Sequence, residues 1–514
     1  MNWMKELTIK QKRTMKGVGI AIAILLMAFT QYTKVFLGTN ETVNNLQYIS
    51  SDLVADAMYA RQSQAYDGPY GLLGVYRYNG SNDGVLSDEN YTDGYSNTEN
   101  EIAVSKNEFT LPMYIRGNIL QFENGVRATI YYVRMDDAYI YVKYHFEDGD
   151  DVYRGNQGPL QYIQVINQTD GKELAPGSIE PYVSQLGFQG TVFSTLMVGE
   201  SVRDAVKGWQ GILALLFAVV IVFLSIELGR HYNKVFGVVF FMVTLLSPWV
   251  IGFSTNVYWM EVTWFAPMLV GIYCANRVEQ RGARIASYVF TFLTVALKCA
   301  CGYEYITVVM LGAVVFLLAD LTMAILRKQK RQAGLLLRTT FFVGVAALMG
   351  FVVVILIHGY IRGNGNMVAG VKEIYASDVL RRTLGGQSGN FSDVYAESLE
   401  APIWYVVARY CLFQTPLLSG IPGFAFIPLV ILSFGMLVYG VARKKRPGDM
   451  LALYVWFGLM CISWFVLGKA HSYIHTFLNF VMWYMGFVQI IFYVPIQAIV
   501  DGTKKQIEKR KHNE

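Results

Sequence analysis

The chain has 514 residues, 54% of them hydrophobic and only 16% charged, with a formal net charge of +5. That composition and the positive mean hydropathy exclude an ordinary soluble domain, and apolar runs of roughly 20 residues are enough to span a bilayer. The +5 is an average over two unlike compartments, because the charges are sorted between the apolar segments.

A basic head (Lys5, Lys10, Lys12, Arg13, Lys16) precedes the first apolar run, Gly17 to Phe36. That run is long for a signal-peptide core and lacks a small-residue cleavage site, so it reads as a retained anchor. Residues 38 to 208 follow, with 23 acidic and 11 basic residues, a formal charge of 23 − 11 = 12 negative. Within them Gly38 to Ala60 reads as helical. Then come the Gly/Tyr stretch at Asp67-Gly-Pro-Tyr and a polar, turn-rich loop over 79 to 107. Alternation between Phe109 and Phe146 predicts paired strands around Met135-Asp-Asp-Ala, and Leu160 to Ile166 predicts another strand. All five cysteines (Cys274, Cys299, Cys301, Cys411, Cys461) lie in or beside apolar segments, so this domain has no disulfide framework and must be held by its core. Cys299-x-Cys301 has the wrong spacing for a zinc site.

Further spans are expected near 209–228, 235–253, 260–275, 286–301, 305–325, 339–360, 421–441, 450–468 and 477–499, with an amphipathic interfacial stretch at Pro402 to Leu418. The stretches between spans alternate. Those at the N-terminus, Arg230 to Lys234, Arg277 to Arg284, Arg327 to Arg338, Arg443 to Arg446 and Lys504 to Lys511 hold 24 of the 43 Lys and Arg. By the positive-inside rule these are cytoplasmic. The expected fold is a polytopic α-helical membrane protein of about ten transmembrane helices with a mixed α/β or mostly β external domain. Its parts are a tail and first span (1–37), the external domain (38–208), helices 2 to 7 (209–361), a second external region (362–420) and helices 8 to 10 with a basic tail (421–514). The chain is thus expected in the cell membrane with both termini cytoplasmic and the large loop outside.

Ionisable residues in or at the ends of spans are costly and mark functional sites. The topology gathers them on the external side: Glu261, Lys298, Glu304, Lys469, His471 and His475. Asp52 and Asp56, four apart, share a face if helical, and Arg61 lies just beyond. Like charges so close push their pKa values apart, as a base and an anchoring group require. His471 and His475 are also four apart, but without an HExxH pattern they suit a phosphate as well as a metal. Whether a divalent cation takes part is left open. No P-loop, dinucleotide fingerprint or nucleophile elbow occurs, which argues against nucleotide-driven transport and soluble-cofactor chemistry.

The arrangement resembles the GT-C superfamily of integral-membrane glycosyltransferases. The likeness rests on the short tail and first span, the large first external loop with acidic residues near its start, the segments Asp56-Ala-Met-Tyr-Ala-Arg61 and Asp67-Gly-Pro-Tyr-Gly-Leu, and the later external loops with Glu261, Glu304 and His471. Asp52-x-x-x-Asp56 stands where that superfamily often has a closer acidic pair. The segment Tyr182-Val-Ser-Gln-Leu-Gly-Phe-Gln-Gly is similar to stretches before the second span in bacterial surface-polysaccharide membrane proteins. The resemblance implies a polyprenyl-phosphate-linked sugar donor, a glycan or lipid-linked acceptor and the bilayer as partners, with no nucleic acid. It also implies Asp52 or Asp56 as base and Glu261 as a second acid, with Arg61, Lys298, Glu304, Arg381, Arg382, Lys469, His471 and His475 as substrate or phosphate groups. One alternative is an O-antigen-type polymerase or ligase centred on Arg362 to Arg382, and a second is a non-catalytic exporter of lipid-linked glycans. For the topology, a cysteine placed at Ser96 or Gly386 is expected to react with an impermeant reagent on intact cells and one at Gly334 is not. Labelling at Gly334 overturns the map.

Overall fold

The computed structural model describes residues 9–34, 50–62, 73–78, 100–105, 113–122, 126–135, 139–147, 162–166, 177–196, 202–383, 386–390, 393–413, 415–443 and 448–513, with a few isolated positions. The Asp67 stretch, most of the 79–107 loop and the Asp136 to Ala138 turn lie outside them. The chain is mostly helical, with two small antiparallel sheets. Among the described residues, six helices are long and apolar enough to cross a membrane. They are formed by α4 (Val202–His231), α8 (Arg281–Cys301), α9 (Ile306–Leu326), α10 (Lys330–Arg362), α15 (Phe426–Ala442) together with the 3₁₀ turn Gly423–Ala425 that leads into it, and α16 (Asp449–Leu467).

Of the remaining four expected spans, three are shorter or broken, for local reasons. Among the residues whose side chains are described, α1 (Ile9–Tyr32) has an apolar stretch over Ala21–Tyr32, and α7 is short (Val262–Asn276). The expected 235–253 span is two helices, α5 (Lys234–Leu246) and α6 (Pro248–Phe253). Ser247 Oγ accepts from Val250 N at 3.2 Å and Pro248 occupies the first turn, a new helix start. The expected 477–499 span begins instead as a 3₁₀ turn, Asn479–Tyr484, and becomes helical only at α18 (Phe487–Asn513). Gly486 between them has φ 120°, and a Cβ there would lie 2.5 Å from the Phe457 ring.

Residues 38–208 supply a five-stranded sheet of order β2-β5-β4-β3-β6, built from β2 (Asn100–Ser105), β3 (Ile119–Phe122), β4 (Arg127–Met135), β5 (Tyr139–Phe146) and β6 (Tyr162–Ile166). Alternate residues Ile140, Val142, Tyr144 and Phe146 join Leu120, Phe122, Ala128 and Ile130 in its core. A bulge between Ile130 and Tyr132 shifts the β4–β5 register. A separate pair, β1 (Leu73–Tyr78) with β7 (Gly177–Tyr182), lies beside α2 (Asp52–Gln62), which also packs on α3 (Phe188–Thr195).

The bundle has two unlike ends. One carries the basic loops and is pinned by ion pairs: Glu227 with Arg277 (2.9 Å) and Arg230 (2.5 Å), His231 with Asp320 (3.1 Å), and Arg327 with Asp449 (2.8 Å). Glu227 and Asp320 therefore hold helix ends together, as packing residues do. Between the ends, α8, α10 and α15 leave Phe290, Leu293, Phe341, Leu348, Ile431 and Phe434 exposed, an apolar surface unlike that of a water-soluble protein.

At the other end lies the tip of α10, a helix longer than a bilayer core is thick. Its 33 residues make it about 50 Å long. A turn through Asn364 (φ 48°) and Gly365 (φ 92°) folds α11 (Met367–Ile374) back against it. The backbones touch: a Cβ on Gly370 would sit 1.9 Å from Gly359 O. The helix continues through a π turn, Tyr375–Val379, into α12 (Leu380–Arg382).

Close backbone approach also joins α4 to α5, where a Cβ on Gly237 would meet Ser225 O at 2.4 Å, whereas one on Gly334 meets nothing within 4 Å. Gly237→Ala is expected to cost about 1–3 kcal/mol by overpacking, and Gly334→Ala to leave stability unchanged or raise it by about 0.5–1 kcal/mol. Thermal unfolding in detergent compares the two, and equal effects count against the packing described.

Candidate functional site

The end opposite the basic loops gathers charged side chains from six segments. Its hub is Asp378, buried in the π turn. It pairs with Arg362 at the tip of α10, with Arg381 at 3.5 Å and with Arg382 at 3.8 Å. The Gly359/Gly370 contact fixes this meeting by holding the π turn against the end of α10. Arg362 also binds Glu373 (2.9 Å) and donates to Val183 O (3.1 Å). Val183 O accepts a second bond, from His358 Nε2 (3.1 Å), while Tyr303 Oη donates to His358 Nδ1 (3.1 Å). Arg382 reaches Tyr182 Oη at 3.5 Å. The chain before α3 is thereby tied to the arginines.

Two residues later in that chain, Gln185 donates from Nε2 to both Tyr258 Oη and Glu304 Oε1, and Tyr258 Oη donates to the same oxygen at 3.3 Å. Gln189 holds the layer together by donating to Tyr258 O (3.1 Å) and Cys301 O (2.9 Å). Glu304 Oε2 makes no hydrogen bond among the described residues. Burial opposes charge on Arg382, yet Tyr182, Glu304 and Asp378 outweigh it and raise its pKa above the ordinary value.

His471 and His475 lie on α17 (Lys469–Ile474) and at its C-cap, with ring centroids 4.5 Å apart. Burial pushes the His475 pKa down to about 4, with Arg382 and Arg381 adding to the effect and Glu304 opposing it. Burial also takes His471 well below its ordinary value, helped by His475, Arg382 and Arg381. Both rings are neutral near pH 7, within electrostatic reach of two guanidinium groups.

The predicted residues divide accordingly. Glu304, Arg381, Arg382, His471 and His475 come together. Lys298 Nζ donates to Gly302 O (2.6 Å), closing its own helix end, and Lys469 Nζ donates to Leu399 O (2.5 Å) and Ala401 O (2.8 Å), anchoring the link between α13 (Asp393–Glu400) and α14 (Ile403–Cys411). Both ammonium groups are engaged by backbone carbonyls. Asp52, buried Asp56 and Arg61 stand on α2, which packs against β1, β7, α3 and α4. Glu261 is 1% exposed, neither carboxylate oxygen has a hydrogen-bond partner among the described residues, and it lies within reach of Lys34 at the end of α1. Tyr305, stacked on Trp259 at 5.5 Å, feels both Glu261 and Glu304.

Asp378, Tyr258 and Gln185 were not among the expected site residues. Gln185 had a signal in the segment that starts at Tyr182, and Asp378 lies inside the Arg362 to Arg382 stretch on which the alternative reading centres. Among the described residues no three His, Cys, Asp or Glu side chains converge on a metal site. A cavity of about 300 Å³ opens at the basic end, lined by His231, Asp320, Asp449 and Asp501, and contains none of the predicted site residues. No known protein family, curated protein or solved structure matches the chain.

The buried histidines link stability to pH. An unfolded histidine takes up a proton near pH 6.5, whereas His475 in the folded chain does so only near 4. Between those values the unfolded state binds more protons, so stability present above pH 6.5 is lost as the pH falls toward 4. The melting temperature is expected to fall between pH 7 and pH 5, and less steeply in His475→Gln. The same slope in both proteins would show that this histidine is not held neutral.

Proposed function

We propose that the protein is a membrane glycosyltransferase that moves a sugar from a polyprenyl-phosphate carrier to a glycan or lipid-linked acceptor on the external face. The observation that carries this reading is that Arg382, His475 and Glu304 lie within electrostatic reach of one another at one end of an apolar bundle, with Arg381 and His471 beside them. A prenyl tail stays in hydrocarbon, so its phosphate would sit at headgroup level, where arginines and neutral imidazole N–H groups at the helix ends could meet it. In this reading the basic loops lie in the cytoplasm with both termini. Ala21–Tyr32, the broken α5–α6 pair, α7 and the first half of α18 complete ten crossings with the six long helices.

In the reaction the bond from the sugar anomeric carbon to the carrier phosphate oxygen breaks, and a bond to the acceptor oxygen forms. The acceptor proton passes to a carboxylate, and the carrier leaves as a phosphate anion whose growing charge Arg381 and Arg382 offset. Glu304 suits the proton acceptor, since Gln185 and Tyr258 orient it through Oε1 and leave Oε2 open. Asp52 and Asp56 on α2 are the other carboxylates proposed for this role, and the variants below separate them from Glu304.

The placing of the arginines in 362–382 also favours the second reading, a polymerase or ligase that takes a polyprenyl-diphosphate glycan. The released carrier separates the two. Purified protein in nanodiscs, given either donor, is expected to release polyprenyl monophosphate from the first, measured by mass spectrometry, and release of the diphosphate selects the polymerase or ligase. Glu304→Gln is expected to lower transfer roughly 100-fold or more, the scale of a lost general base, and Arg382→Ala to lower it strongly, with Asp52→Asn and Asp56→Asn milder. No release from either donor would reject both readings.

A further inference from the structure

A hydrogen-bonded chain runs into the site from beneath. Tyr305 Oη donates to Asn479 Oδ1 at 2.8 Å, and Asn479 Nδ2 lies 3.5 Å from His471 Nδ1. Tyr305 and Asn479 are fully buried and His471 is nearly so. Tyr305 has the left-handed backbone angle φ 63° and starts α9, while Asn479 opens the 3₁₀ turn that interrupts the last apolar segment. Strain at a residue of this kind persists where its surroundings over-determine it, and such residues cluster at functional sites.

We propose that Tyr305 and Asn479 are positioning residues that hold His471 as a single neutral tautomer, with the proton on Nε2. The argument starts from the hydroxyl. Among the described residues Tyr305 Oη has one hydrogen-bond partner, and a buried O–H must use its proton. It therefore donates, and the acceptor must be the amide oxygen of Asn479. With Oδ1 so engaged, Nδ2 can only donate, and its two hydrogens face the His471 imidazole and the Tyr410 hydroxyl. Nδ1 of His471 is then the acceptor and carries no hydrogen, which leaves the proton on Nε2. Turning the amide over would leave the tyrosine proton without an acceptor.

The consequence is a division of labour. Nε2 makes no hydrogen bond within the described chain, and the ring lies beside His475 and Trp464 (centroids 4.5 and 5.4 Å) within reach of Arg381 and Arg382. His471 thus presents a neutral N–H toward an anion and offers no lone pair there to an acceptor hydroxyl. It is a donor to the carrier phosphate, and the proton acceptor lies elsewhere. That last assignment rests on the glycosyltransfer reading, whereas the tautomer does not.

The test is ¹⁵N NMR of the full chain in nanodiscs with labelled histidine. The chain has six histidines, and His471→Gln identifies the signal by its loss. The wild type is expected to show His471 with a bare Nδ1 and a protonated Nε2, and inorganic phosphate is expected to shift the Nε2–H signal. Asn479→Asp, whose carboxylate can only accept, should move the proton to Nδ1 or leave the ring doubly protonated. Tyr305→Phe keeps the ring packing and should yield a mixture of tautomers. Asn479→Asp should also shift the pH profile of transfer, with a loss of roughly tenfold or more, the scale of one hydrogen bond to a charged group. A protonated Nδ1 in the wild type, or one tautomer shared by the wild type and Tyr305→Phe, overturns the proposal. Should Asn479→Asp fail to fold, the Tyr305→Phe spectrum decides. The stated tautomer together with absence of transfer from either lipid donor would reject the glycosyltransfer reading and leave the positioning role standing.

Discussion

The buried Asp378 carboxylate and the three guanidinium groups around it hold the charged end together. Without it, Arg362, Arg381 and Arg382 would repel one another in a place of low dielectric. Removing one partner of such a buried group typically costs about 3–5 kcal/mol, since the remaining charges stay desolvated. The carboxylate is placed by backbone contact: glycines at 359, 363 and 370 let α11 lie directly on α10, and the π turn then faces Arg362. From Arg362 the connection passes to Val183 O, along two residues of chain to Gln185, and so to Glu304. Cation cluster and carboxylate are thus parts of one hydrogen-bonded structure.

The two ends of the bundle use charge differently. At the basic end each ion pair closes on itself, Glu227 with two arginines and Asp449 with Arg327, and its work is to join helix termini. At the other end the charges are less fully matched. Glu304 keeps one oxygen open and the two histidines are neutral. That asymmetry, more than the number of ionisable residues, marks where a ligand would find unspent hydrogen-bonding capacity.

Much of this was legible in the sequence. Alternation of Lys and Arg between apolar runs located the charged loops, and the rule that ionisable residues at span ends are costly picked out Glu304, His471 and His475. The same rule picked Lys298 and Lys469 with equal force, yet these serve carbonyls at helix ends, because composition carries no information on which backbone groups a fold leaves open. Asp378 was hidden as one acid in a polar stretch, and only the folding back of α11 makes it central. The breaks at Ser247 and Gly486 were masked by apolar neighbours. A hydropathy window averages over a cap or a glycine, and the side chain of Gln489 that satisfies Gly486 N and Tyr484 O lies beyond the turn.

The length of α10 gives the molecule a mechanical property. A helix of about 50 Å in a hydrocarbon layer of about 30 Å accommodates changes in bilayer thickness by tilting. A change of about 5° about its basic end would carry the tip sideways by about 4 Å. Arg362, α11, Asp378 and the two following arginines are clasped to that tip and would travel as one body. Glu304 follows α8, which packs along α10, and it is tied to Arg362 through Val183 and Gln185, so the carboxylate would travel with the cations. A tilt that carries them together keeps their registration as the lipid thickness changes.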